Sequence, residues 1–156
     1  MTEKIDSKYF KQDYKNPTYV FHGSKNMYDK LIPQQAYDVA SNKENERNAV
    51  FASSVFKGAV PYCIKGRGNY DCSIGYTIED LTMKISYGTI PEDEYGYIHV
   101  CDAKDFIKIG KGESCQYISY KEIKPIEIIK IYYKDFKDCF VYIEAEDNEK
   151  CIVNKK

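Results

Sequence analysis

The chain has 156 residues, with 23 lysines and arginines against 24 aspartates and glutamates and a formal net charge of −1. Such a length predicts one domain that buries about two thirds of the surface its unfolded form exposes. The balanced charge excludes a global field for nucleic acid or anionic lipid and leaves only local basic patches. Arg47 and Arg67 are the sole guanidinium groups, which argues against an arginine array reading phosphates or bases.

In chain order, residues 1–17 are polar, rich in Lys and Asp, and close with Asn16-Pro17. They read as a loose or short helical N-terminal arm ahead of a single domain over 18–156. Met1 to Asp6 has no apolar signal stretch, and the longest nearly apolar run, Ile126 to Tyr133, is broken by Glu127 and Lys130 and is far too short to span a bilayer. The expectation is a cytoplasmic protein. Its six cysteines form no Cys-x-x-Cys pair, so free thiols are expected rather than disulfides, and no metal site.

Thr18 to His22 reads as a short strand, dense in β-branched and aromatic residues. An irregular stretch with an apolar step at Leu31-Ile32 follows, and then a strongly polar exposed loop over 38–47. Ala49 to Ala52 reads as a second strand, with Ser53 or Ser54 placed to cap a short helix over Val55 to Val60 that Pro61 ends or kinks. From residue 70 the pattern is β-rich: strands are predicted over 70–77, 81–87, 95–101, 106–109, 116–120, 126–133 and 140–145. Gly88, Pro91-Glu92-Asp93-Glu94 and Gly110-Lys111-Gly112 supply the turns. Strands dominate and helices are few, which predicts an α+β domain of two packed sheets rather than an alternating parallel fold. Gly66-Arg67-Gly68 lacks the third glycine and the strand-to-helix setting of a dinucleotide fingerprint.

Two strand ends stand out. Val20-Phe21-His22-Gly23-Ser24 and Val50-Phe51-Ala52-Ser53-Ser54 each carry an apolar run into small polar residues, the pattern of a nucleotide cleft between strand ends. Further on come Lys57, Ala59 and Tyr62, then Gln116-Tyr117-Ile118-Ser119-Tyr120 and Pro125 to Ile131.

Taken together and in this order, these blocks resemble the ADP-ribosyltransferase superfamily in its poly(ADP-ribose) polymerase and diphtheria-toxin-like branch. Three short blocks within residues 18–132 carry the resemblance. It implies a split β-sheet core with few short helices, NAD as substrate and no metal. It further implies mono-ADP-ribosyl transfer to a protein or nucleic acid with release of nicotinamide. His22 would bond an adenosine-ribose hydroxyl, Gly23 the nicotinamide carboxamide through its backbone, and Tyr62 would stack on the nicotinamide ring. Ser24, Ser53 and Ser54 would complete the cofactor-binding set, and the loop over 38–47 would lie near the adenosine and acceptor side. Each role suits its residue: a neutral imidazole donates and accepts, glycine lets backbone approach closely, and tyrosine offers a flat face.

Three positions depart from the family pattern. Val50 stands where a second tyrosine often precedes the Phe-Ala pair. Tyr62 falls one residue late, with Pro61 at the expected place, so Phe56 is an alternative aromatic for the nicotinamide face. Gln116 stands at the catalytic glutamate, and Glu113, beside the Gly110 turn, is the nearest carboxylate able to curl back. Some superfamily members without the glutamate transfer one ADP-ribose with the help of a substrate carboxylate, while others only bind. A non-catalytic NAD or ADP-ribose binding module is therefore the alternative. An RNA 2′-phosphotransferase-like enzyme is a third reading, poorly served by two arginines. His99, within Tyr97-Ile98-His99-Val100, is expected to be structural.

Overall fold

The computed structural model describes residues 5–35, 48–64, 71–74, 83–87, 90–110 and 114–142. The segment 38–47 expected to be an exposed polar loop, the Gly66-Arg67-Gly68 sequence and Glu113 lie outside the described residues. Nine of the strands that the alternation predicts are present, most of them within two residues of the expected bounds. They are β1 (Tyr19–Ser24), β3 (Asn48–Ser53), β4 (Asp71–Ile74), β5 (Met83–Tyr87), β6 (Tyr95–Asp102), β7 (Ile107–Lys108), β8 (Gln116–Ser119), β9 (Glu127–Tyr132) and β10 (Phe140–Tyr142). A two-residue strand, β2 (Gln34–Gln35), pairs with the start of β3 and was not expected.

The chain is a mixed α+β protein. Its main sheet runs β7-β8-β3-β1-β6-β9 with β2 beside β3, and all its pairs are antiparallel. A smaller sheet runs β10-β5-β4, with β10 parallel to β5. No described helix is long and apolar enough to cross a membrane. Cys63, Cys101, Cys115 and Cys139 are buried free thiols.

One face of the main sheet carries the helix α2 (Phe56–Ile64). Phe21, Ile98, Val100, Ile129 and Ile131 on the sheet pack there against Phe56, Ala59, Val60, Cys63 and Ile64. The expected end of this helix at Val60 is corrected: it runs through Pro61 to Ile64. Proline inside a helix costs about 3 kcal/mol. Here it forfeits the bond to the carbonyl of Lys57, four residues earlier in the helix. Burying Cys63 and Ile64 completely offsets that cost at about 2 kcal/mol per apolar side chain. Among the described residues, Gly110 (φ 83°) is the glycine with positive φ, where the chain turns before β8.

The opposite face is closed by Leu31, Phe106 and Ile123 over Val20, Val50, Cys101 and Tyr117. Leu31 and Ile123 exchange backbone hydrogen bonds of 2.8 and 2.9 Å, which pins the loop after β1 to the sheet.

The N-terminal arm holds one short helix, α1 (Lys8–Lys11), and is part of the core rather than loose. Tyr9 is buried in the cluster under α2, and its hydroxyl donates to Glu127. Gln12 Oε1 accepts the N–H groups of Thr18 and Tyr19 at 3.1 and 3.0 Å. Its Nε2 donates to the carbonyls of Tyr19 and Ser54 at 2.7 and 2.9 Å. One side chain thereby ties the start of β1 to the end of β3.

Candidate functional site

The main sheet is joined at its centre by very little. β1 pairs with β6 over six residues and β3 with β8 over four, whereas β1 meets β3 at the single rung Phe21–Ser53. Each side of that rung is completed differently. Thr18 C=O accepts from Ala103 N–H across β1 and β6. Antiparallel alternation then gives Val20, His22 and Ser24 to β6 and turns the N–H and C=O groups of Tyr19, Phe21 and Gly23 toward β3. At Tyr19 those two groups are taken by the Gln12 carboxamide. At Gly23 the register has ended, and the backbone pair faces the opening between the half-sheets.

His22 sits at the mouth of this opening. Its Nδ1–H donates to the Phe51 carbonyl at 2.7 Å, a side-chain bond standing where the next rung of the ladder would be. The donor position fixes the tautomer: Nε2 carries the lone pair, and among the described residues it has no hydrogen-bond partner. Burial pushes the His22 pKa down, with the Phe51 bond opposing, so the ring is neutral at pH 7 and Nε2 is an acceptor.

Gly23 is glycine for a packing reason. A Cβ there would lie 2.1 Å from the Ala59 carbonyl oxygen, so α2 rests directly on the β1 backbone. Tyr62, three residues on from Ala59 and next to Cys63, lies on the adjoining flank of α2 and is 39 % exposed. Phe56, the alternative aromatic, is fully buried between Phe21, Phe10 and Phe136 and is a core residue.

Ser53 and Ser54 are both engaged. Ser53 Oγ accepts Val55 N–H at 3.0 Å just before α2, while Ser54 is buried, its N–H donating to Cys115 C=O at 2.9 Å. A cavity of about 480 Å3 opens beside Ser54, between Tyr9, Phe10 and Tyr14 of the arm and Phe56 and Lys57 of α2. Gln116 is exposed and in register with Ser53. Phe21, Ser53 and Gln116 therefore form a row across three strands, each step about 4.8 Å.

Strand alternation sorts these residues by face. Gly23, Ser53 and Gln116 belong to the α2 side, which also carries Tyr62. His22 and Ser24 belong to the opposite side, where Ser24 Oγ accepts Asn26 N–H at 3.1 Å. His22 meets the first group only through the opening, by way of its bond to Phe51.

Behind His22 lies His99, fully buried and hydrogen-bonded at both ring nitrogens, as expected of a structural residue. Nδ1–H donates to the His22 carbonyl at 3.2 Å, and Nε2 accepts Tyr28 N–H at 3.0 Å. A proton on Nε2 would face the Tyr28 donor. Desolvation and the neighbouring His22 lower the His99 pKa to about 4. Because the folded value lies below the unfolded value of about 6.5, the unfolded chain binds the extra proton first. His99 therefore contributes its full stability above about pH 6.5, loses it as the pH falls through about 4, and adds no further change below that. The loss is at most about 3 kcal/mol. The expected result is a His99 NMR titration midpoint near 4 and, between pH 6.5 and 4, a steeper fall in Tm for wild type than for His99→Gln. A midpoint near 6.5 would refute this account.

Sequence reasoning missed Gln12, Tyr9 and the contact of Tyr28 with His99. A single glutamine in a polar arm carries no periodic signal, and nothing local shows that it completes a strand edge. No family model, curated protein or solved structure matches this chain.

Proposed function

We propose that this chain is an NAD-binding, ADP-ribosyltransferase-like protein that transfers a single ADP-ribosyl group to a protein or nucleic acid and releases nicotinamide. The observation that carries the reading is the Gly23 backbone pair, turned into the opening beyond the last rung between β1 and β3. A carboxamide offers one donor and one acceptor to such a pair. The chain itself makes that match two rungs away, where the Gln12 carboxamide takes Tyr19 N–H and C=O at 3.0 and 2.7 Å. Nicotinamide would take the same place at Gly23, with Tyr62 on the adjoining flank of α2 as the stacking ring. The His22 Nε2 lone pair suits a ribose hydroxyl, and Gln116, one strand beyond Ser53 on the α2 side, would extend toward the opening.

Ground-state binding of NAD leaves the chemistry to be supplied. Cleavage of the bond to nicotinamide develops oxocarbenium-like positive charge on the ribose, which a carboxylate stabilises and an amide does so only weakly. Gln116 therefore favours a second reading on the same scaffold, a non-catalytic NAD or ADP-ribose binder.

Calorimetric titration of NAD into wild type and His22→Ala tests the site shared by both readings. Saturable binding by wild type is expected, displaced by free nicotinamide and weakened tenfold or more in the variant, as about 1.4 kcal/mol for one lost hydrogen bond implies. His22→Ala also loses the Phe51 bond, so its melting curve must show a folded protein at the titration temperature. Absence of NAD binding by folded wild type would remove the proposal.

A further inference from the structure

The sheet face directed away from α2 is unevenly covered. Leu31, Phe106 and Ile123 close its middle, and Tyr28 stacks on His99 with ring centroids 5.9 Å apart. Outward along β6 and the edge strand β9, alternation puts Tyr95, Tyr97, Lys130 and Tyr132 on this face, all of them partly exposed. The other side chains that these two strands contribute to it are His99, Cys101 and Ile128, so no carboxylate is among them. Glu127 points to the opposite side, where it accepts the Tyr9 hydroxyl.

The four residues are fixed against one another. Tyr95 and Tyr97 meet edge to face with centroids 6.1 Å apart, and Tyr132 is tilted against Tyr95 at 6.1 Å. Lys130 Nζ lies 4.3 Å from the Tyr95 ring centre and 5.2 Å from that of Tyr132, and Lys134 Nζ lies 5.6 Å from Tyr132. Among the described residues neither lysine is paired with a carboxylate, in contrast to Lys57, Lys104, Lys121 and Lys137.

We propose that this face binds single-stranded nucleic acid, with bases against Tyr95, Tyr97 and Tyr132 and phosphates at Lys130 and Lys134. Tyrosine rings on a rigid sheet are a stacking platform that any base can use, and nearby ammonium groups without carboxylate partners track the backbone. A duplex hides its base faces in its own stack, so the platform selects single strands. Tyr97 is in register with Ser24, which brings the platform up to the end of β1 beside the opening. The proposal goes beyond the NAD reading and does not depend on it, since binding here needs no dinucleotide.

Fluorescence anisotropy with a fluorescein-labelled mixed-sequence oligonucleotide of about 12 nucleotides, as DNA and as RNA, tests it without NAD. Saturable binding is expected at about 50 mM salt, weakening as salt rises. Tyr97→Ala and Tyr132→Ala should each weaken it about tenfold, while Tyr97→Phe and Tyr132→Phe, which keep the ring, should bind like wild type. Lys130→Gln should reduce the salt slope by about 0.7. The proposal is overturned by absence of saturable binding, by alanine variants that bind like wild type, or by a duplex of the same sequence binding as tightly. The phenylalanine variants separate loss of stacking from loss of fold.

Discussion

Gly96→Ala is expected to destabilise the protein by about 4 kcal/mol and to lower its Tm by on the order of 10 °C. Gly96 lies on β6, and a Cβ built on it would stand 2.3 Å from the Cys63 carbonyl oxygen, 2.6 Å from Cys63 Cβ and 2.8 Å from its carbonyl carbon. Two of those three atoms are backbone, so no rotamer change relieves the overlap; α2 must lift from the sheet. Lifting it exposes Ala59, Val60, Cys63 and Ile64, all at or below 2 % exposure. Because Gly96 lacks a positive φ, the effect is one of distance and not of backbone conformation.

Gly23→Ala meets the same helix, 2.1 Å from the Ala59 carbonyl oxygen, and should be as costly, but it also disturbs the proposed carboxamide position. Comparing the two separates packing from binding. Folded Gly96→Ala, assayed below its lowered Tm, keeps the Gly23 backbone pair and shifts only the helix that carries Tyr62, so it should lose less NAD affinity than Gly23→Ala, which disturbs the helix and the carboxamide position together. A Gly96→Ala Tm within about 2 °C of wild type would show that α2 is not seated as described.

The contrast between these glycines and Gln12 shows which parts of the fold a sequence makes legible. β6 and β9 announce themselves through strict alternation: Ile98 and Val100, like Ile129 and Ile131, share one face, and a period of two follows from the pleat alone. The start of the helix is legible to within a residue, but its end is not, because the local cost of Pro61 points to a stop at Val60 and only the burial of Cys63 and Ile64 beyond it carries the helix on. The family resemblance makes Gly23 a backbone contact for a ligand. The structure adds a second demand on it, the approach of α2, that composition does not reveal. The central opening itself was illegible: both half-sheets follow from local pattern, but the single rung Phe21–Ser53 is a matter of register between strands nearly thirty residues apart in sequence, and no residue type encodes where pairing stops. His22 and Gln12 complete the two ends of that junction with side-chain bonds, and neither function has a signature in the sequence around it.

Gln116→Glu is expected to raise nicotinamide release from NAD by roughly a thousandfold if the opening is a competent transfer site. Two unit charges about 4 Å apart interact by roughly 4 kcal/mol at an effective dielectric of 20, and each 1.36 kcal/mol is tenfold in rate. The position suits the substitution. Gln116 is exposed at the first residue of β8, so a glutamate there stays ionised at neutral pH, and glutamate matches glutamine in shape, so the Ser53 pairing is kept. Its effect should be confined to catalysis: NAD affinity measured by calorimetry should change by less than about threefold, because the carboxylate acts on charge that develops only in the transition state. The gain should also vanish on acidification through about pH 4.3, where the introduced carboxylate is protonated, and this pH profile separates an electrostatic rescue from an indirect change in structure. Unchanged nicotinamide release with NAD binding intact would decide for the binder, since the one group that the transition state asks for would then have been supplied without effect. Unchanged release with no NAD binding in either protein would instead remove the site on which both readings stand.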